Sequence, residues 1–195
     1  MIAFVRGHFA VKTHARIVVD VNGVGYELQI SLNTYSAISN QESGQLFTYL
    51  HITENAQTLF GFAEAAEKEM FLHLISVSGV GAATARMMLS GMKPAEIATA
   101  IVQGNTKQLE GIKGIGKKSA ERLVVELRDK LGKQALETPG FLAGAAATID
   151  ADAVNALIAL GIGRAMAEQA IKKTIATMGE KTSLEDIIKH ALKNL

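Results

Sequence analysis

The stretch with the clearest chemical content is EGIKGIGKKSAERL, residues 110–123, where three glycines and three lysines fall within positions 111–119 and a helical pattern follows. Glycines that free the backbone, then ammonium groups and a hydroxyl, point to a phosphate. It belongs either to a nucleotide cradled for hydrolysis or to a nucleic-acid backbone held for position. Positions 111–119 nearly match the nucleotide-binding loop G-x-x-x-x-G-K-[ST], with Gly111, Gly116 and Lys117 in register. The match fails at the magnesium position, which Lys118 occupies, because an ammonium cannot coordinate the metal that bridges nucleotide phosphates. The context fails too: a buried strand should lead into such a loop, and the preceding NTKQLEG reads as a short polar helix. A dinucleotide-type G-x-G-x-x-G is absent, since Thr84 and Ser119 occupy the third glycine position.

What survives is a pattern that occurs twice. LISVSGVGAATARMML (74–89) and LEGIKGIGKKSAERLV (109–124) align without gaps at an offset of 35, with Gly79 on Gly114, Gly81 on Gly116 and Ala85 on Ala120. Two glycines flanking one apolar residue let the chain turn tightly, pin that side chain in a core and turn backbone N–H groups outward at the start of the next helix. Such a turn holds a phosphate by geometry and the helix dipole without reading bases. This is the helix-hairpin-helix motif, here in tandem. The candidate DNA-binding residues are Gly79, Val80, Gly81, Ala82 and Arg86 in the first copy, and Gly114, Ile115, Gly116, Lys117, Lys118 and Arg122 in the second. The bland alternative is a helix C-cap followed by a tight turn. Against it stands the Lys117–Lys118 pair at a helix N-terminus, where positive charge opposes the dipole unless an anion offsets it.

The elements around these turns divide the chain. Residues 1–62 read as five strands, with an Asn22-Gly23 hairpin signal and a helical turn at LNTYSAI, which fits a five-stranded barrel of the oligonucleotide-binding (OB) type. Residues 63–133 are helical and hold both hairpins; Met70, Leu74 and Val77 fall at helical spacing. Residues 134–149 read as a linker, and 150–195 as a three-helix bundle with Asp150 or Asp152 capping its first helix, Gly161 stopping it, and Ser183 capping its third. The fold class is multidomain α+β. The net charge is only +1, but the middle segment carries 11 basic and 8 acidic side chains, against 3 and 4 before it and 6 and 7 after it, so a polyanion would prefer the middle. With no cysteine, disulfides and thiolate metal sites are excluded. No run reaches the ~18 to 20 apolar residues of a spanning helix, and no signal-peptide pattern opens the chain, so a cytoplasmic protein without membrane association is expected.

Barrel, tandem hairpins, linker and small bundle, in that order, resemble the RuvA family, the junction-binding subunits of the bacterial branch-migration complex. The resemblance covers essentially the whole chain and is most specific at MIAFVRG, VNGVGYEL, LFGF (59–62) and LSGM (89–92). It implies a fourfold-symmetric homotetramer, or an octamer on DNA, that holds a four-way (Holliday) junction open and square and recruits the hexameric ATPase RuvB, with the RuvC resolvase as a further partner. It also implies a strand-separating pin of adjacent acidic residues. The matching positions are Glu54 and Asn55, where an amide replaces the second acid and weakens the repulsion of phosphate. Family members often carry a lysine just after the first GVG; here Ala82 and Ala83 follow, leaving backbone N–H groups and Arg86. In the last segment the resemblance implies an ATPase contact, for which Leu157, Leu160, Ile162 and Met166 are the apolar candidates.

No catalytic constellation is present. The histidines at 8, 14, 51, 73 and 190 have no metal spacing, and no hydroxyl, histidine and carboxylate form a recognisable set, so neither a metal nor a cofactor is expected and hydrolysis should belong to the partner. The competing reading is a helix-hairpin-helix nuclease or glycosylase acting on its own.

Overall fold

The computed structural model describes residues 2–137, 153–154, 156–158, 160–178 and 184–193. The chain forms two compact units, Met1–Gln134 and Ala135–Leu195.

The first unit opens with a closed five-stranded barrel: β1 (Phe4–Lys12), β2 (Arg16–Val21), β3 (Val24–Ile30), β4 (Ser43–Ile52) and β5 (Gln57–Phe62), in the order β1-β2-β3-β5-β4. Neighbours are antiparallel except β3 and β5, which run parallel. Asn22 and Gly23, both at positive φ, make the β2–β3 turn that their types call for. Alternation puts Val5, Ile17, Val19, Leu28 and Leu46 inside the barrel. Gly61 makes the β3–β5 closure possible, since a Cβ there would lie 2.7 Å from Leu28 Cδ2. The short helix α1 (Leu32–Ile38) bridges β3 to β4, capped by Ser31, and Lys12 Nζ donates to Ser39 O and Gln41 O just beyond its C-terminal end.

Helices α2 (Ala65–Ile75), α3 (Ala82–Gly91), α4 (Pro94–Val102), α5 (Thr106–Glu110) and α6 (Lys117–Glu137) complete the unit. Their core continues into the barrel wall: Phe60 and Phe62 on the outer face of β5 meet Phe71 of α2 at ring-centroid distances of 4.9 and 5.0 Å. Val77, read from spacing as a helical position, lies just past the end of α2, and it is buried all the same. Helix α6 runs to Glu137, beyond the linker start expected at 134. The residues KQALE all favour helix, and Pro139 is the first strong breaker.

In the second unit, residues 153–158 are helical where described, followed by α7 (Arg164–Met178) and α8 (Leu184–Lys193). Ala153, Leu157, Ala167, Ile171, Ile187 and Ala191 form its core. Gly161, at φ +90°, ends the first helical segment as its sequence requires. Asp150, Asp152 and Ser183, the expected caps, lie outside the described residues.

Candidate nucleic-acid interface

The two hairpins fold alike bond for bond. In the first, the amide of Val77 donates to Leu74 O (3.2 Å), that of Val80 to Val77 O (3.0 Å) and that of Ala85 to Gly81 O (2.9 Å). In the second, the counterparts are Ile112 to Leu109 O (3.1 Å), Ile115 to Ile112 O (3.0 Å) and Ala120 to Gly116 O (3.0 Å). Gly79 and Gly114 have φ of +89° and +96°, a conformation closed to most side chains. Ala85 and Ala120 are fully buried, so the helix that follows each turn packs against the core without a gap.

Two of the candidate residues therefore have a different role from the one their position suggests. The side chains of Val80 and Ile115 are buried and their amides are already bonded within the turns, so they pin the loops and present no donor. The open donors begin one residue later, at Gly81 and Gly116. An α-helix leaves its first four N–H groups without intrahelical acceptors. Elsewhere in this unit those groups are met by side chains or balanced by acids: Ser31 accepts from Thr34 N, Glu96 from Lys93 N, Asn105 from Gln108 N, and Glu67 lies in the first turn of α2. Among the described helices of this unit, only α3 and α6 open on a glycine, and neither has an acidic residue in its first turn. Their N-terminal dipoles face outward uncompensated, which is the arrangement an external anion completes. Lys117 and Lys118 are exposed beside the second turn; a shallow concavity of about 500 Å³ lies along Ile75–Gly81 beside the first.

Arg86, proposed from sequence as the cation of the first hairpin, is committed elsewhere. Both hydrogens of its Nη1 are used, on Ala15 O (2.9 Å) and Gln29 Oε1 (2.7 Å) of the barrel. It fastens α3 to the β1–β2 turn and to β3. Arg122 also departs from its expected place: from α6 it reaches the first hairpin, donating from Nη1 to Ser78 O at 3.0 Å, with Glu126 Oε1 3.8 Å from its Nε.

Three contacts that sequence reading missed hold the hairpins to the barrel. Asn33 Nδ2 donates to the carbonyls of Leu89 (2.6 Å) and Met92 (3.0 Å), and Leu32 N donates to Ser90 Oγ (3.1 Å), so the LSGM segment is the joint between α3 and the barrel. Glu67 is buried between α1 and α2. Its Oε1 accepts from Ser31 Oγ and its Oε2 from Thr34 Oγ1, while these hydroxyls accept from Thr34 N and Ala63 N, which directs both hydroxyl protons at the carboxylate. Burial pushes the Glu67 carboxyl above its ordinary value, and the Ser31 and Thr34 hydrogen bonds oppose part of that rise. A readable signal existed: Glu67, Met70, Phe71 and Leu74 share one helical face, so the acid interrupts an otherwise apolar stripe.

Glu54 and Asn55 form the tip of the β4–β5 hairpin, closed by Thr53 N to Ala56 O (2.9 Å) and exposed to solvent. In the second unit the candidate contact patch shrinks. Leu157 is a core residue with no exposed surface and Ile162 packs against the same core, leaving Leu160 (63% exposed) and Met166 (55%) at the surface.

Barrel, tandem turns and helical C-terminal unit each match a known family model. Residues 1–61 match the family model for the RuvA N terminal domain, 71–129 the SAM-like helix-hairpin-helix tandem, and 149–195 the RuvA C-terminal domain. The chain is 43% identical to the Holliday junction branch migration complex subunit RuvA of Cytophaga hutchinsonii, over 99% of both chains. The identity is again 43% with the protein of that name from Flavobacterium psychrophilum, over the full length of both. The chain belongs to the RuvA family. Where the first hairpin of this chain has Ala82 and Ala83, the structure shows a cation from the other hairpin, Arg122, in that neighbourhood.

Proposed function

We propose that this chain binds four-way junctions as the non-catalytic subunit of a branch migration complex. The observation that carries the reading is the repeated turn: two superimposable loops, each opening a helix whose first amides have neither a capping side chain nor an acidic neighbour. The names of its full-length relatives, Holliday junction branch migration complex subunit RuvA, support it independently. Each hairpin takes a phosphate of one backbone through main-chain N–H groups, so binding is indifferent to base sequence. Selectivity for a junction comes from several subunits engaging several arms at once, in a fourfold homotetramer or a pair of them. The exposed Glu54–Asn55 tip lies at the crossover and repels phosphate there. Leu160 and Met166 contact the RuvB ATPase, which hydrolyses ATP, and RuvC acts on the same junction.

The test is a mobility-shift titration of the purified chain against an immobile four-way junction and a linear duplex of the same arm sequence, with light scattering of the free protein. A junction complex at concentrations that leave the duplex unbound, and a mass of four chains, are expected. A monomer with no preference for the junction would overturn the proposal.

A further inference from the structure

The internal repeat makes an asymmetry visible. Arg122 of the second hairpin corresponds, 35 positions earlier, to Met87 of the first. Arg122 crosses to the other copy: its Nη1 holds Ser78 O at 3.0 Å and lies 3.8 Å from where a Gly79 Cβ would be. Met87 makes no such crossing, since nothing lies within 4 Å of the corresponding point at Gly114. The first turn is thus braced from the second hairpin, and the second turn receives no brace in return. Charge follows the same division. The second hairpin has Lys117 and Lys118 in its own first helical turn, whereas the first has Ala82 and Ala83 there, and its one arginine, Arg86, is bonded to the barrel.

We propose that Arg122 is a positioning residue shared by both hairpins: through Ser78 it fixes the first turn in the geometry that exposes the amides from Gly81 onward, and it supplies the positive charge that hairpin lacks. Nη1 holds the loop and Nε lies 3.8 Å from Glu126 Oε1; the side chain is still about half exposed (52%), so part of the guanidinium faces solvent beside the concavity at Ile75–Gly81. A planar fork is pre-organised to hold a carbonyl on one edge and an anion on another, whereas a lysine offers its three donors from one point on a flexible stem. This rests on the junction-binding reading above.

The experiment is a pair of double-mutant cycles on the full chain, with junction affinity measured by fluorescence anisotropy across a salt series. Ala82→Pro removes a first-hairpin amide, Lys118→Ala removes a second-hairpin charge, and each is combined with Arg122→Met, which makes the two copies alike. If Arg122 serves the first hairpin, A82P and R122M together weaken binding no more than the worse single change, while K118A and R122M multiply. R122M also makes the log–log salt slope shallower by about 0.9 for each phosphate that Arg122 neutralises. R122K should keep that slope without restoring affinity. Multiplicative effects of A82P with R122M, or full rescue by lysine, would overturn the inference. Failure of the unmodified chain to bind the junction would instead defeat the functional reading beneath it.

Discussion

Replacing Ala82 with proline removes one hydrogen-bond donor and adds two ring carbons to a residue that is only 7% exposed at the edge of the core. Ala82 is the first residue of α3, and Gly81 before it has φ −81° and ψ 164°, the extended conformation that proline demands of its predecessor. Proline is well tolerated at this position because the missing N–H has no intrahelical acceptor and the ring presets a helical φ. No acceptor in the described chain is bonded to the Ala82 amide. The backbone effect alone should therefore hold stability or raise it by about 0.4–1 kcal/mol, through loss of freedom in the unfolded chain, while any crowding by the added ring carbons acts the other way. Had the amide been bonded internally, a stranded acceptor would cost about 1–3 kcal/mol. Binding should move the other way. A hydrogen bond to a charged oxygen contributes about 1.5–3 kcal/mol, so each subunit deprived of one should hold its DNA arm roughly tenfold to a hundredfold more weakly. Thermal melting and anisotropy with a four-way junction read the two signs in one preparation, and Ala82→Gly, which keeps the amide, should bind as the parent does. A proline variant that folds and binds as tightly as the parent refutes the claim that this amide is used.

Two further perturbations have signs fixed by the structure. Changing both Lys117 and Lys118 to Ala removes positive charge from the start of α6, where each lysine opposes the dipole by about 0.3–1 kcal/mol at low salt. The melting temperature should rise while junction affinity falls and its log–log salt slope becomes shallower by about 0.9 for each phosphate no longer neutralised; an unchanged slope rejects the phosphate role. Glu67→Gln should alter the pH dependence of folding. Between the ordinary carboxyl value of 4.5 and the raised value in the fold, the folded chain holds this proton more tightly than the unfolded chain does. Stability then declines as pH climbs through that window, and the Gln variant should lack that component of the slope when urea midpoints are compared across the acid range; identical slopes would show that Glu67 titrates normally.

The strands and the paired turns were legible because their signals are local. Alternating Val, Ile and Phe, Asn22-Gly23, and glycines around one apolar residue each act within a few positions. What was not legible lies across long separations: Asn33 to Leu89, Arg86 to Ala15 and Arg122 to Ser78 join side chains to carbonyls, and a carbonyl has no residue type to read. This is why Arg86 looked like a free cation. The turn string itself is also ambiguous. Gly161-Ile162-Gly163 repeats it in the second unit, with φ +90° at Gly161 and the same helix-opening bond, Ala167 N to Gly163 O. There, however, the middle amide donates five residues back, Ile162 N to Leu157 O, whereas Val80 and Ile115 donate three residues back. The string marks a helix stop and restart in all three places; the hydrogen-bond pattern separates the tandem pair from the third.

Recognition through main-chain amides needs those amides fixed, because a phosphate that meets a yielding loop gains each bond against the entropy of ordering it. Helix α3 has only ten residues and would not hold itself in place alone. It is held at every stage instead. Asn33 caps its last carbonyls, Arg86 ties its middle to the β1–β2 turn and β3, Ala85, Met88 and Leu89 fill the core, and Arg122 steadies the loop that leads into it. Most of these anchors come from the barrel, so the direction in which the first hairpin presents its donors is set by the barrel and not by the hairpin's own sequence. An assembly built through the barrels would therefore fix every first hairpin about a common axis with no further contact among the helices. Loosening Asn33 or Arg86 would cost junction preference before it cost affinity for a single DNA arm.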